Sequence, residues 1–259
     1  MIELSIGILL TGVIMSAAFS LYLTQHKQLL VQDEISDMQS SVRVTAAELT
    51  TNLRLAGMGL PPGITPIQSF DTNPDTIIIA FANGELEGIH LETDMPYANA
   101  TLDCSGQDLS PVQINDQLYI ANASTGSGEY FTVEGINYVS GTIQPYNPGL
   151  SQAYAAGSII VKPIHYRYYI DQTDTQHPKL MRQQNSSTAQ IFAEEITDLQ
   201  FRYIMSDGQI VEVPFWQDMI REIMLSVSAR TSQPDPDFPN QYRIRTLNSR
   251  VKVRNIGLN

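Results

Sequence analysis

Few residues of this chain stand at a spacing that does chemistry. Its four histidines, His26, His90, His165 and His177, fall at no metal-ligand interval, and neither His-Glu-x-x-His nor Gly-x-Ser-x-Gly occurs. No Gly-rich phosphate loop follows a strand pattern. Asp71-Thr72-Asn73-Pro74-Asp75 opens like a calcium loop, but it lacks the sixth-position Gly and puts Ala82 at the twelfth position. Asp235 and Asp237, in a Pro-Asp-Pro-Asp run, are kept as calcium-loop candidates that would need ligands from other loops. A single cysteine, Cys104, excludes an internal disulfide and a cysteine-based zinc cluster. Asn99, Asn122 and Asn185 head Asn-x-Ser/Thr triplets, which matter only in a eukaryotic secretory pathway. We expect no catalytic residue, metal or cofactor from these patterns. The odd ionisable group is Glu3, at the head of an apolar run, where a carboxylate is costly unless it is solvated or paired. Either it lies solvated among headgroups, or it meets a cation supplied by another chain.

The elements that would position these residues begin with that run. Leu4 to Leu23 are twenty residues without charge, enough for about 30 Å of helix, the thickness of a bilayer core. A cleaved signal would want a cation before the run and small residues after it. Here Glu3 precedes it and Thr-Gln-His-Lys-Gln follows, so the segment is expected to be retained. Gly12, Ser16 and Ser20 recur every fourth residue along one helix face, with Gly7 slightly off that line, a spacing that lets helices approach closely in lipid. Beyond the run, Ile35, Met38, Val42, Ala46, Leu49, Leu53 and Ala56 follow at steps of three and four. Gly57, Gly59 and Pro61-Pro62-Gly63 then stop the pattern. The reading is one helix of about fifty-five residues, roughly 80 Å long.

The rest reads as strands and turns. Thr76–Phe81, Gly88–Thr93, Gln117–Asn122, Tyr130–Val133, Gly141–Pro145, Ser158–Ile170 and Lys179–Arg182 are apolar runs between turns. Gln190–Ile196 suits a short helix leading into a strand. Leu199–Met205 alternates strictly, Asp207-Gly208 marks a hairpin turn into Gln209–Val213, and Arg221–Arg230 and Arg243–Arg254 complete an antiparallel pattern. The expected class is α+β, with the helix packed on an antiparallel sheet domain. We divide it into residues 1–25 as an apolar half-helix, 26–57 as an amphipathic half-helix and 58–259 as a β-rich domain.

Charge is unevenly placed. Fifteen Lys and Arg against twenty-seven Asp and Glu give a net charge of -12. Leu55 to Val161 hold eleven acids and no Lys or Arg, which suggests a solvated acidic face. Such a balance argues against a general nucleic-acid binder, and the apolar content argues against wholesale disorder.

Met1-Ile2-Glu3-Leu4, the apolar run with its Gly and Ser, the exit Leu21-Tyr22-Leu23-Thr24-Gln25 and the amphipathic continuation together resemble type IV pilins and pseudopilins. Within that family, Ile196-Thr197-Asp198-Leu199-Gln200-Phe201-Arg202-Tyr203, Leu225–Thr231 with Pro234-Asp235-Pro236-Asp237, and the ending with Arg254-Asn255-Ile256-Gly257 resemble PilW-type minor pilins. The resemblance implies a non-catalytic subunit that assembles or primes a pilus. Its partners would be other pilins, met through the helix, and inner-membrane lipid. Its β-rich part would lie in the periplasm, then at the pilus or cell surface. Glu3 would match the family glutamate that pairs with the N-terminal amine of a neighbouring subunit. The leader and first two mature residues of the family pattern have no counterpart ahead of Glu3, so no processing is assigned. A J-like pseudopilin of type II secretion is the alternative within this architecture, and a membrane-tethered periplasmic hydrolase or binding protein is the alternative outside it.

Overall fold

In the computed structural model, residues 2–82, 84, 86, 88–235 and 241–257 are described. Ile2–Leu55 form one continuous helix, α1, of 54 residues. The expected stripe is the buried one: Met38, Val42, Ala46, Leu49, Leu53 and Ala56 are inside, and Ile35 packs partly against the same core. The helix ends because Gly57 takes φ +81°, a left-handed conformation, and donates its N–H to Ala80 O instead of back along the helix. A Cβ there would also come within 2.6 Å of Asn255 O, so only glycine fits.

Strands in chain order are β1 (Ile67–Phe70), β2 (Thr76–Ala82), β3 (Leu102–Asp103), β4 (Gln117–Ala121), β5 (Gly128–Asn137), β6 (Thr142–Pro145) and β7 (Ile159–Val161). They continue as β8 (Pro163–Asp171), β9 (Lys179–Gln184), β10 (Gln190–Glu194), β11 (Ile196–Met205), β12 (Ile210–Val211), β13 (Ile220–Arg230) and β14 (Ile244–Lys252). They form three sheets, ordered β1-β2-β8-β9-β10, β12-β11-β13-β14 and β3-β6-β5-β4-β7, and each neighbouring pair is antiparallel. The amphipathic half of α1 packs on the first two sheets in one shared core, with Ile77, Ile79, Phe201, Leu225 and Val251 among its strand residues. This is the α+β architecture of a long helix on antiparallel sheet.

The third sheet lies elsewhere. β2 and β8 are neighbours in register, Ala82 opposite Pro163, so the chain between them leaves the first sheet and returns to the adjacent strand. Its residues build a second core around Leu102, Leu118, Phe131, Val133, Ile143 and Ile160. A small cluster of Ile64, Ala80, Tyr119, Ala121 and Val161 joins the two.

Four sequence expectations change. Ser158–Ile170 is two strands in two different sheets, hinged at Lys162; with no glycine at the break, only Pro163 marks it. Gln190–Ile196 is strand and not helix, because β10 gains a ladder with β9 that overrides its local preference. Gly88–Thr93 contributes only a bridge from His90 to Ile159. Gln209–Val213 shrinks to the two-residue β12, since β11 offers it only Tyr203 and Ile204.

Candidate assembly surface

The residues expected to matter lie on the bare half of α1. An eighteen-residue window of this helix has a mean hydropathy of 2.0 and none of it is buried, so the helix is long and apolar enough to cross a membrane. Ile8, Leu9, Val13, Ile14, Met15 and Phe19 are all exposed. The hydroxyls in this stretch turn back on the helix: Thr11 Oγ1 donates to Gly7 O at 2.8 Å and Thr24 Oγ1 to Ser20 O at 3.0 Å. Such internal satisfaction is what a hydroxyl needs in lipid or a dry helix bundle. Glu3 is exposed and, among the described residues, has no ion-pair partner. Gly7, Gly12, Ser16 and Ser20 are exposed, and a Cβ on either glycine would meet nothing within 4 Å. Packing within the chain therefore does not account for small residues here.

The other half of the helix is held by polar pins as well as by its apolar stripe. At the neck, the Glu34 carboxylate accepts the Ser232 N–H at 2.8 Å and the Ser232 hydroxyl at 2.7 Å. Further along, Glu48 Oε1 accepts from Arg182 at 3.0 Å, Tyr168 at 3.2 Å and Asn52 at 3.1 Å, and Asn52 also donates to the Tyr168 oxygen at 2.7 Å. Burial, with the Glu48 carboxylate beside it, pushes the Tyr168 phenol above its usual range and keeps it a neutral donor. Arg182 also lies over the Tyr166 and Phe192 rings, so one guanidinium ties α1 to β8, β9 and β10. Sequence reading missed Glu34 and Glu48, which sit off the apolar stripe like solvated acids. The Glu48–Asn52 spacing of four was the available signal.

The remaining candidates are dispersed. Asp235 is buried and pairs with Arg243 at 2.6 Å, while Asp237 lies outside the described residues. Asp75 is buried with one oxygen on the Phe201 N–H at 2.8 Å. His177 faces Glu195 at 2.8 Å, His90 lies 3.3 Å from Glu92, and His165 contacts the Tyr130 hydroxyl at 3.2 Å. Among the described residues, no three His, Cys, Asp or Glu group to hold a metal ion. Cys104 sits in the second core, where burial pushes its thiol up to about 12.

No family model and no curated protein matches the chain. Among solved structures it is similar to the type IV-like pilin TTHA1219 from Thermus thermophilus, with a TM-score of 0.38 and 10% identity over 87% of this chain and 98% of that one. A likeness at that level carries no weight for function.

Proposed function

We propose that this chain is a non-catalytic type IV pilin-like subunit, a PilW-type minor pilin that takes part in assembling or priming a pilus. The observation that supports it is the division of α1. One half of a single 54-residue helix is buried on two sheets, and the other half is apolar and bare. In the subunit before assembly, lipid of the inner membrane covers the bare half and the β-rich body stands in the periplasm. In the assembly, helices of neighbouring subunits cover it, and Gly7, Gly12, Ser16 and Ser20 allow their close approach.

Glu3 then has a role that appears only between chains. In the bilayer its carboxylate reaches water near the surface and costs little. Among packed helices water is scarce, and the N-terminal amine of a neighbour neutralises it. Glu3→Ala is expected to leave the amount of membrane-inserted chain unchanged while lowering incorporation into pili, with Glu3→Asp intermediate. Quantitative immunoblots of membrane and sheared-pilus fractions measure both. Wild-type incorporation of Glu3→Ala would remove the pairing from this account.

A further inference from the structure

The most exposed aromatic pair on the body lies far from the bare helix. After β12 the chain turns through buried Pro214 and presents Phe215 at 84% and Trp216 at 62% exposure, their rings edge to face at 4.8 Å. Ile210 and Val213, also exposed, precede the pair in the chain. Large aromatics held in water at one spot are the residue types that dominate protein interfaces, and a folded monomer gains nothing from displaying them. Lipid is not their occupant. The patch borders the far end of α1: Asn255 donates to Arg54 O, and the backbone at Gly57 and Gly257 packs against Asn255 and Asp218. From Leu23 to Leu55 is thirty-two residues of helix, about 48 Å at the usual rise. The occupant is therefore met well away from any bilayer holding the apolar run.

Charge says what kind of surface it is. Arg221 reaches Gly257 beside Asp218, Lys252 lies opposite Glu222 on the neighbouring strand, and Arg254 precedes Asn255; among the described residues none of the three forms an ion pair. The nearby acids Glu212 and Glu222 are already held by Arg202 and Arg250. Asp218 remains at this end, and Asp71 and Asp198 lie on the side of Glu212 that faces Asp75. An apolar centre with a cationic rim fits an acidic surface with apolar tips. The second core carries such a surface. At its β5–β6 end Val139 is fully exposed, and Tyr138 and Ile114 are each 60% exposed. Tyr138 donates to Val112 O at 3.0 Å and Asn115 N–H to Val133 O at 2.8 Å, which gathers these side chains at one end. Exposed Asp108 and Glu134 lie in the same stretches, and the only Lys or Arg of that unit, Lys162, is taken by Asp116 at 2.6 Å.

We propose that the Phe215–Trp216 patch of one copy receives the acidic Ile114–Tyr138–Val139 knob of a second copy of this chain. The contact is heterologous, so each copy offers one patch and one knob and the association propagates along a row or closes into a ring. It involves neither Glu3 nor the bare helix and stands apart from their reading.

Trp216 is the chain's only tryptophan, so its emission reports directly on the patch. The full chain in detergent micelles is titrated in concentration while tryptophan emission and acrylamide quenching are followed, with sedimentation in parallel. At low salt the emission is expected to move to shorter wavelength and quenching to fall as concentration rises, and about 0.5 M salt reverses both. Phe215→Ser is expected to weaken association about tenfold. Val139→Asp, at a fully exposed turn position, does the same from the other side. Arg221→Glu weakens it about fivefold, and adding Glu134→Arg to that chain restores it. Trp216 emission that ignores concentration up to about 100 μM, the weak end of specific association, overturns the proposal. So does association that survives Phe215→Ser or Val139→Asp. Oligomers formed through the apolar helix would sediment faster without moving Trp216 emission, and would overturn this contact while leaving the Glu3 reading intact.

Discussion

The sheets around α1 and the unit between β2 and β8 both bury antiparallel strands, but only the first pair needs the helix to do it. In the body, Leu49 and Leu53 of α1 are fully buried against strand residues such as Phe201 and Val251. Removing the helix would open that core from one side. The inserted unit instead closes on itself: Leu86, Leu91, Met95 and Leu109 come from loops to cover its sheet. Its turns are fixed by local acceptors, with Asp103 capping Ser105, Asp108 capping Ser110 and Asn122 capping Ser124. The body is thus tied to the helix whose other half is apolar and bare. The insert is free to carry charge and surface features without disturbing that tie.

A loss of that separation would show first at Cys104. The chain has one thiol, in the insert core, with its reactivity suppressed by burial. Native protein is expected to react with a maleimide at pH 8 at least about a thousandfold more slowly than denatured protein, because labelling requires the insert to open. Leu118→Ala, within the same core, should accelerate it sharply. Labelling of native protein at the denatured rate would show that the insert has no closed core.

A smaller effect tests the body. Leu49→Ala removes a fully buried side chain at the centre of the helix stripe and should cost about 2–5 kcal/mol of body stability. Denaturant melts followed by hydrogen exchange in β11 and β13 measure it. If the two regions are separately closed, Cys104 labelling in Leu49→Ala stays within about threefold of the parent rate, since sub-global openings are local. Equal acceleration of both would join them into one cooperative unit.

How much of this the sequence disclosed follows from where its periodicities are clean. The helix stripe and its glycine stop are readable because every third or fourth residue from Met38 to Ala56 faces one core. β11 and β13 are readable because one face is solvated and the other buried, with Leu199, Phe201 and Tyr203 inward. The edge strand β10 was not, since its side chains are half-exposed and its pairing with β9 comes from tertiary context. The insert left a trace that a face explained equally well: the stretch free of Lys and Arg runs to Val161, two residues before the chain rejoins the first sheet at Pro163. Charge marked the boundary, but a unit with its own core shows only in packing. The exposed Phe215 and Trp216 followed Val213-Pro214 without any periodic signal.

The finest distinction between the regions is in how each responds to acid. Asp75 joins the first sheet to the second: its N–H donates to Leu199 O and its carboxylate accepts the Phe201 N–H, both at 2.8 Å. The other carboxylate oxygen is buried without a partner. Desolvation raises its pKa above the ordinary 3.8; the Phe201 hydrogen bond opposes this, and Asp71, Asp198 and Glu212 add to it. A raised carboxylate binds more protons folded than unfolded. Its contribution therefore favours the body below the ordinary value and is lost as pH rises through the raised one. In the insert the sign is reversed. Hydrogen bonds from Ser105 and Ser110 lower Asp103 and Asp108, whose contributions are present above 3.8 and lost as pH falls through their lowered values. Asp171 on the body is lowered in the same way by Thr173, so the comparison is made by difference between variants. Asp75→Asn keeps an acceptor for the Phe201 N–H and removes the buried charge. Stability at pH 7 should stay within about 1 kcal/mol of the parent, because an unpaired amide N–H replaces an unpaired oxygen. The informative quantity is the slope. Between pH 4 and 7 the variant should lose less body stability than the parent, read as hydrogen exchange at Phe201 and its β13 partner Leu225. Cys104 labelling across the same range should be identical in the two proteins. Parallel pH profiles for parent and variant would mean that Asp75 is ionised at no net cost, with water reaching the oxygen that is sealed here.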